Sequence, residues 1–191
     1  MKVRAPFVAS IALLALPGLI GCIAPRGSEA PLAARAEAVA EDVDWGVAPT
    51  AEIRMAEYHA PTPTRVAGGN VIGTASLASM MQEQDPVIVD VLGGARHPGL
   101  PGAVWLKGAG LGTGYDDDVQ ARLEAKLAEL TGGDRSRPVV FYCLDPQCWL
   151  SYNAALRAAR MGYENVYWYR GGINAWQSAG RQTVEVSETA W

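Results

Sequence analysis

Hydrophobic positions along this 191-residue chain alternate between short continuous apolar runs and segments with helical spacing. Four runs are typical of strands buried on both faces of a parallel sheet, namely PVIVDVL, GAVWL, RPVVFYC and NVYWY. The remaining segments predict helices in ASLASMMQEQ, YDDDVQARLEAKLAELTGG and SYNAALRAARMGY, with a final turn and short helix in GGINAWQSAG. Strands that alternate with helices predict an α/β domain, with a central parallel sheet and helices on both faces.

Single residues mark the ends of two predicted helices. Thr74 stands directly before ASLASMMQEQ and is predicted to be its N-cap. The second helix has an acidic first turn and an apolar stripe, and Gly132 is predicted to end it.

The segment CLDPQCWLS is the main candidate for chemistry. Parallel α/β sheets bind ligands at the carboxyl ends of their strands, where Cys143 is expected to lie. The following helix is predicted to begin near Ser151, and its N-terminus would stabilise a thiolate or another anion. The residues leave two alternatives open, a nucleophilic Cys143 or a structural disulfide between Cys143 and Cys148.

The N-terminus has the layout of a secretory signal peptide, with a basic start and then an apolar run. That run is too short for a membrane span and is broken by Pro17 and Gly18. The stretch LIGC resembles a bacterial lipobox, in which Cys22 would become the lipid-bearing N-terminus; an ordinary cleaved signal is the alternative. Because Ile23 follows that cysteine rather than Asp, the resemblance implies a periplasm-facing protein held at the outer membrane.

Three regions are therefore predicted: a lipoprotein signal peptide over 1–21, a flexible tether over 22–55 and one compact domain over 56–191. The tether is predicted from its Ala-, Glu- and Pro-rich composition. The net charge is −4 and no basic stripe is present, so nucleic acid is not an expected partner. If lipid modifies the first cysteine, the loop cysteines are the only free sulfurs, and an oxidising periplasm would favour their disulfide.

Several motifs of the domain, in order, resemble the rhodanese, or sulfurtransferase, superfamily. VIVDV with Asp90, GLPGAVWL, and VVFYC followed by AALRAARMGYENVYWYRGGINAW resemble the Asp-containing strand, the Pro-Gly-Ala segment and the cysteine strand, helix and closing turn of that family. More narrowly, YHAPTPTRV, PGAVWLKGAG and FYC…CWLSYNAA…VYWY resemble a subfamily named for a CXXCW motif. That subfamily is associated with pyrroloquinoline-quinone-dependent alcohol catabolism, a periplasmic process. Here four residues separate the cysteines rather than two.

The resemblance implies a three-layer rhodanese-like fold in which Cys143 carries sulfane sulfur. The Arg that commonly ends the family's loop is absent, since Leu150 precedes Ser151 at that position. The Arg and Glu that often follow the Asp90 strand are absent too, which weakens the expectation of thiosulfate:cyanide transfer. Arg170, after the neighbouring strand, is expected either to point into the same crevice or to be a solvated loop residue.

The second cysteine changes the expected chemistry. Cys148 could resolve a persulfide or a sulfenate on Cys143 by forming an intramolecular disulfide. Trp149, which follows it, is expected either to pack at the corner between loop and helix or to stack on a flat ligand. Asp90 and Ser151 complete the candidate binding residues.

Other apparent motifs do not support a metal or a cofactor. GAGLGTG lacks the G-x-G-x-x-G spacing, and the acidic residues 116–118 are expected at the start of a helix. His59 and His97 lack ligand spacing, and no His follows the cysteine pair as haem attachment requires. The prediction is therefore no cofactor and no metal.

The predicted function is thiol chemistry at the Cys143 loop, either persulfide transfer or reversible oxidation of the cysteine pair. Expected partners are a small sulfur donor or a thiol protein, a periplasmic alcohol-oxidising system, and the membrane through the lipid. The alternative is a non-catalytic binding or accessory protein, with a permanent disulfide and a crevice formed by Trp149, Tyr152 and Arg170.

Overall fold

The computed structural model describes residues 40–191. The predicted signal peptide, Cys22 and the tether as far as residue 39 lie outside the described residues. The elements are, in chain order, β1 (Asn70–Val71), α1 (Thr74–Glu83), β2 (Val87–Asp90), β3 (Pro98–Gly99), β4 (Val104–Trp105), α2 (Asp118–Thr131), β5 (Val139–Tyr142), α3 (Trp149–Arg160), β6 (Val166–Tyr169), α4 (Gly172–Ser178) and β7 (Val184–Glu185).

Five of the strands form one parallel sheet in the order β1-β6-β5-β2-β4. Strands β2 and β5 are buried along their whole length, as their continuous apolar sequences predict. Alternate residues of these strands point to opposite faces. Val139 and Phe141 pack with α2 and α3 on one face, while Val140 and Tyr142 pack with α1 and α4 on the other. The predicted α/β fold with helices on both faces is confirmed.

Helix α2 begins and ends at residues with clear capping roles. Asp117 is the N-cap and accepts hydrogen bonds from the backbone N–H of Gln120 and of Thr113, both at 2.8 Å, and from Arg157 Nη2 at 2.9 Å. Burial alone would raise the pKa of Asp117, but these hydrogen bonds lower it to about 2. Gly132 ends the helix in the left-handed conformation, φ 66°, as predicted.

The starts of α1 and α3 differ from the predictions by one and two residues. Helix α3 begins at Trp149 rather than near Ser151, which makes Cys148 its N-cap. Helix α1 has Gly73 as N-cap, so Thr74 is its first residue. The expected side-chain cap is supplied instead by a residue distant in sequence, Glu41, whose carboxylate accepts from the Thr74 N–H at 3.0 Å.

The described part of the predicted tether packs on the domain, which differs from the expectation of a flexible linker. Ile53 is 7% exposed and belongs to the core beside α3. The Tyr152 hydroxyl accepts from the Thr50 N–H at 3.0 Å and donates to the Thr50 carbonyl at 2.8 Å. Asn153 likewise bonds both backbone groups of Arg54. Polar side chains of α3 thus fix a segment whose composition alone predicts no structure.

The C-terminal residues cover one edge of the sheet. Strands β3 and β7 form a short antiparallel ribbon that the sequence did not predict. Beyond it, the Thr189 N–H donates to the Trp105 carbonyl at 3.0 Å. Within residues 40–191, no helix is both long enough and apolar enough to cross a bilayer.

Candidate functional site

The two loop cysteines form a disulfide at the carboxyl edge of the sheet. Cys143 follows β5 directly, and Cys148 is the N-cap of α3, with the two Cα atoms 6.1 Å apart. Cys143 is 1% exposed and Cys148 is 5% exposed. A thiol from another molecule therefore cannot reach either sulfur unless the covering residues move.

The backbone N–H groups of the loop's second half donate within the protein. The Gln147 N–H donates to Asp145 Oδ1 at 2.9 Å, and the Cys148 N–H donates to the Asp145 carbonyl at 3.1 Å. The Trp149 N–H, the first of α3, donates to the Tyr58 carbonyl at 2.8 Å. These three groups were expected to help hold an anion. In this conformation they are occupied, and the Asp145 carboxylate adds negative charge beside the disulfide.

The first half of the loop is held by the start of α4. The carbonyls of Cys143 and Leu144 accept hydrogen bonds from the N–H groups of Ile173 and Asn174, at 3.0 and 2.9 Å. Gly172 has φ 61°, and a Cβ there would lie 2.5 Å from the Cys143 carbonyl oxygen. The Gly-Gly turn thus permits the close approach that fixes the cysteine loop.

A second segment, residues 58–62, lies across the loop and is called here the covering segment. In addition to the Tyr58 bond to Trp149, the Ala60 N–H donates to the Gln147 carbonyl at 2.9 Å. These bonds flank an antiparallel bridge between His59 and Cys148. The covering segment therefore pairs with the cysteine loop much as a short edge strand would.

Side chains add two further contacts between the covering segment and the loop. The fully buried Thr62 hydroxyl donates to the Pro146 carbonyl at 2.5 Å. His59 Nε2 lies 3.2 Å from Asp145 Oδ2, with the imidazole largely exposed. The loop is thus held on its outer side by both backbone and side-chain groups of the covering segment.

Arg170 lies behind the covering segment and is 2% exposed, so the expectation of a solvated residue is wrong. Its Nε donates to Thr62 Oγ1 at 3.1 Å and its Nη2 to the Thr62 carbonyl at 3.2 Å. Nη1 donates to the Glu41 carbonyl at 2.8 Å, and the guanidinium stands 5.0 Å from the centre of the Trp45 ring. Burial lowers the pKa of Arg170, and the carboxylates of Asp44 and Asp42 oppose that shift. Arg170 thus binds the covering segment through the hydroxyl and the carbonyl of Thr62.

Sequence comparison assigns the domain to a family. A family model described as a rhodanese-like domain matches residues 74–179, more than half of the chain. The chain belongs to the rhodanese-like family. The match contains the whole cysteine loop, but it leaves out the covering segment and residues 41–45. The contacts that cover the disulfide therefore come from outside the matched region.

Solved structures with a similar fold are distant in sequence. A thiosulfate sulfurtransferase from Pseudomonas aeruginosa is 20% identical with a TM-score of 0.45, and the alignment covers 63% of this chain but only 21% of that one. A rhodanese-like domain from Anabaena is 20% identical with a TM-score of 0.46, over 60% of this chain and 78% of that one. A polysulfide-sulfur transferase homodimer from Wolinella succinogenes is 14% identical with a TM-score of 0.43, over 62% and 80%. The search of curated proteins found no match.

Trp149 and Ser151, both in the first turn of α3, serve the local packing of the cysteine loop. The buried Trp149 ring donates from Nε1 to the Pro61 carbonyl at 3.2 Å, packs edge-on against Tyr152, and has the Arg54 guanidinium 4.8 Å from its centre. Ser151 donates to the Cys148 carbonyl at 3.2 Å and accepts from Trp168 Nε1 at 2.9 Å. Neither side chain is free to bind a ligand in this conformation.

Asp90 belongs to a separate polar cluster at the end of β2. It is fully buried, accepts from the Leu92 N–H at 2.9 Å, and lies 3.0 Å from His97 Nε2 through its other oxygen. Tyr142 stands beside it and accepts from the Leu100 N–H at 3.0 Å. Burial and the neighbouring carboxylate both raise the pKa of Tyr142. The Asp90 carboxylate thus holds the segment between β2 and β4 in place.

Sequence reasoning found the cysteine loop but missed the residues that cover it. Thr62 and His59 lie in YHAPTPTRV, a stretch whose subfamily resemblance was visible but suggested no contact with the loop. No motif or periodicity in the sequence indicated a contact between Glu41 and the domain. Within residues 40–191, no cluster of three or more His, Cys, Asp or Glu side chains is arranged to hold a metal ion.

Proposed function

We propose that this rhodanese-like protein is a lipid-anchored periplasmic thiol–disulfide protein, in which Cys143 and Cys148 cycle between disulfide and dithiol. The observation that carries the proposal is the disulfide itself, which joins the position of the family's sulfur-carrying cysteine to the N-cap of α3. A helix N-terminus stabilises a thiolate, so reduction leaves one sulfur in a favourable place.

The proposed reduction is a pair of thiol–disulfide exchanges. A thiolate of a partner dithiol attacks one sulfur of the pair, the bond between Cys143 and Cys148 breaks, and the other sulfur leaves as a thiolate. The partner's second thiolate then attacks its own sulfur in the mixed disulfide and releases the second cysteine. Two electrons pass from the partner, which becomes a disulfide, and the released thiolates are protonated by solvent.

Persulfide transfer through Cys143 is supported less well by this geometry. It requires a free Cys143 thiolate and donors for the charge on the transferred sulfur. The loop offers Asp145 beside the disulfide, and the N–H groups of Gln147, Cys148 and Trp149 are already bonded. Mass spectrometry tests this alternative on the reduced protein and on Cys148→Ser after exposure to thiosulfate. An adduct of about 32 Da confined to Cys143 would favour the sulfur-carrier function.

A redox titration tests the proposed cycle. The soluble domain is equilibrated in buffers of dithiothreitol and its oxidised form, alkylated and weighed by mass spectrometry. We expect full reduction with a potential above about −300 mV, the range of exchangeable protein disulfides. A potential well below that value would refute the cycle. The near-complete burial of both cysteines would then support the second candidate, an accessory protein with a permanent structural disulfide.

Location and pathway form a separate part of the proposal. The signal sequence and LIGC support lipidation at Cys22, and the narrower sequence resemblance supports a role beside a periplasmic alcohol-oxidising system. Replacing Cys22 with Ser should move the protein from the membrane fraction to the soluble periplasmic fraction. Loss of the protein should reduce quinone-dependent alcohol oxidation by periplasmic extracts, and an unchanged rate would refute the link.

A further inference from the structure

One buried guanidinium joins the start of the described chain to the segment that covers the disulfide. Arg170 donates through Nη1 to the Glu41 carbonyl and stacks near Trp45, while its Nε and Nη2 donate to the hydroxyl and carbonyl of Thr62. Burial of a cation costs free energy unless its N–H groups are hydrogen-bonded, so the position of Arg170 depends on its bonds to Glu41 and to Thr62. Loss of either side weakens the hold of Arg170 on the other.

Thr62 connects that guanidinium to the cysteine loop through a single oxygen. Its hydroxyl accepts from Arg170 Nε at 3.1 Å and donates to the Pro146 carbonyl at 2.5 Å. The side chain is fully buried, so water does not replace either bond without movement of the covering segment. The loop is therefore held closed by a hydroxyl that is itself oriented by Arg170.

The other side of the connection is fixed by the Glu41 carboxylate. It accepts from the Thr74 N–H and, at 2.6 Å, from the Thr74 hydroxyl at the start of α1. A Cβ on Gly73 or Gly171 would lie 3.0 or 2.7 Å from its oxygens, so the carboxylate occupies a closely fitted space. The charge also complements the helix N-terminus. Glu41 thereby anchors the backbone carbonyl that Arg170 bonds.

We propose that residues 41–45, Arg170 and Thr62 form a clamp that keeps the covering segment over the disulfide and sets the rate at which thiols reach it. Residues 41–45 of the clamp belong to the segment that the sequence predicts as tether, and they pack on the domain through Arg170. Any event that pulls residues 41–45 away, such as binding of a partner to the tether, would therefore open the cysteine loop. The proposal rests on the proposed redox function only for its biological use, because access to the disulfide is measurable in either case.

The experiment measures how fast dithiothreitol reduces the disulfide in the folded protein. One dithiothreitol thiolate attacks a cysteine sulfur, the Cys143–Cys148 bond breaks and its electron pair remains on the other sulfur. The second dithiothreitol sulfur then closes the cyclic disulfide and releases the dithiol. Samples are quenched in acid at intervals, alkylated and weighed.

Thr62→Val removes the connecting hydroxyl and keeps the shape of the side chain, while Glu41→Gln weakens the distant anchor. The matched control is Thr131→Val, since Thr131 is also buried and donates one hydrogen bond, at 2.8 Å to the Leu127 carbonyl of its own helix α2 rather than to the cysteine loop. We expect reduction about tenfold faster in Thr62→Val, several-fold faster in Glu41→Gln and unchanged in the control.

Two results would overturn the clamp. One is a wild-type rate in both Thr62→Val and Glu41→Gln. The other is equal acceleration in Thr131→Val, because reduction would then follow global unfolding. The redox titration distinguishes failure of the clamp from failure of the proposed redox function. A potential below about −300 mV with fast reduction of Thr62→Val would support the clamp and refute the redox cycle.

Discussion

Reduction of the Cys143–Cys148 disulfide should lower the free energy of unfolding by only about 2 kcal/mol. The bond closes a small ring, since the cysteines are five residues apart in sequence. In the loop-entropy model, the stabilisation grows with the logarithm of ring size, and a ring of this length gives about 2 kcal/mol at 25 °C. A ring of about 100 residues would stabilise the folded state by more than twice this amount, so this disulfide contributes modestly to stability.

A loss of only about 2 kcal/mol requires the loop to keep its other contacts after reduction. Bonds from α4 to Cys143 and Leu144, and from the covering segment to Gln147, do not involve the sulfurs. The domain should therefore remain folded with both thiols buried. For a domain of this size, a loss of about 2 kcal/mol corresponds to a fall in Tm of roughly 4 to 8 °C.

The assay is urea unfolding of the soluble domain with and without dithiothreitol, followed by circular dichroism. A Cys143→Ala/Cys148→Ala variant serves as the control, because its unfolding should not respond to the reductant. The m-value should be the same in the oxidised and reduced protein. A loss above about 4 kcal/mol, or a clear change in m, would refute the reasoning. It would mean that the loop and the covering segment unfold together once the bond is gone.

Three further predictions follow from single contacts. Asp117→Asn should lower the free energy of unfolding by about 2 kcal/mol at pH 7, because the folded protein holds the Asp117 pKa at about 2. The difference from wild type should shrink as pH falls from about 4 to 2, and urea unfolding across that range measures it. A chain that begins at residue 56, the boundary predicted from the sequence, should lose about 2 to 5 kcal/mol from Ile53 burial alone, and an unchanged Tm would contradict a stabilising role of Ile53 in the core. In reduced Thr62→Val, whose covering segment is expected to open, Cys148 at the N-cap of α3 should be alkylated by iodoacetamide roughly fivefold faster than Cys143. Mass mapping of the modified peptides checks this, and an equal rate would refute thiolate stabilisation by the helix N-terminus.

The interior strands β2 and β5 were predictable because they are buried on both faces and are mostly apolar. VIVD and VVFY are short continuous runs, and both are buried along their length in the structure. The stop of α2 was predictable too, since Gly132 adopts the left-handed conformation that favours glycine. The ribbon of β3 and β7 was not, because strands of two residues carry no detectable period.

The candidate site was predictable in its covalent chemistry but not in its access. Two cysteines in one short loop after a buried strand indicated either a nucleophile or a disulfide, and the structure contains the disulfide. Arg170 was considered as an aid to anion binding. Its actual partners, Glu41 and Thr62, are 129 and 108 residues away in sequence, beyond the reach of any local pattern.

The sequence by itself determined the α/β class, the order of the helices and of strands β2, β4, β5 and β6, and the position of the cysteine loop, because each depends on local periodicity and on residue type. Only the tertiary structure decided that the loop is closed. Its closure depends on hydrogen bonds between segments far apart in the chain, and burial makes those bonds hard to replace with water. Buried contacts of this kind also make residues 41–55, which by composition resemble a linker, part of the domain, and residues 41–45 belong to the proposed clamp on the disulfide.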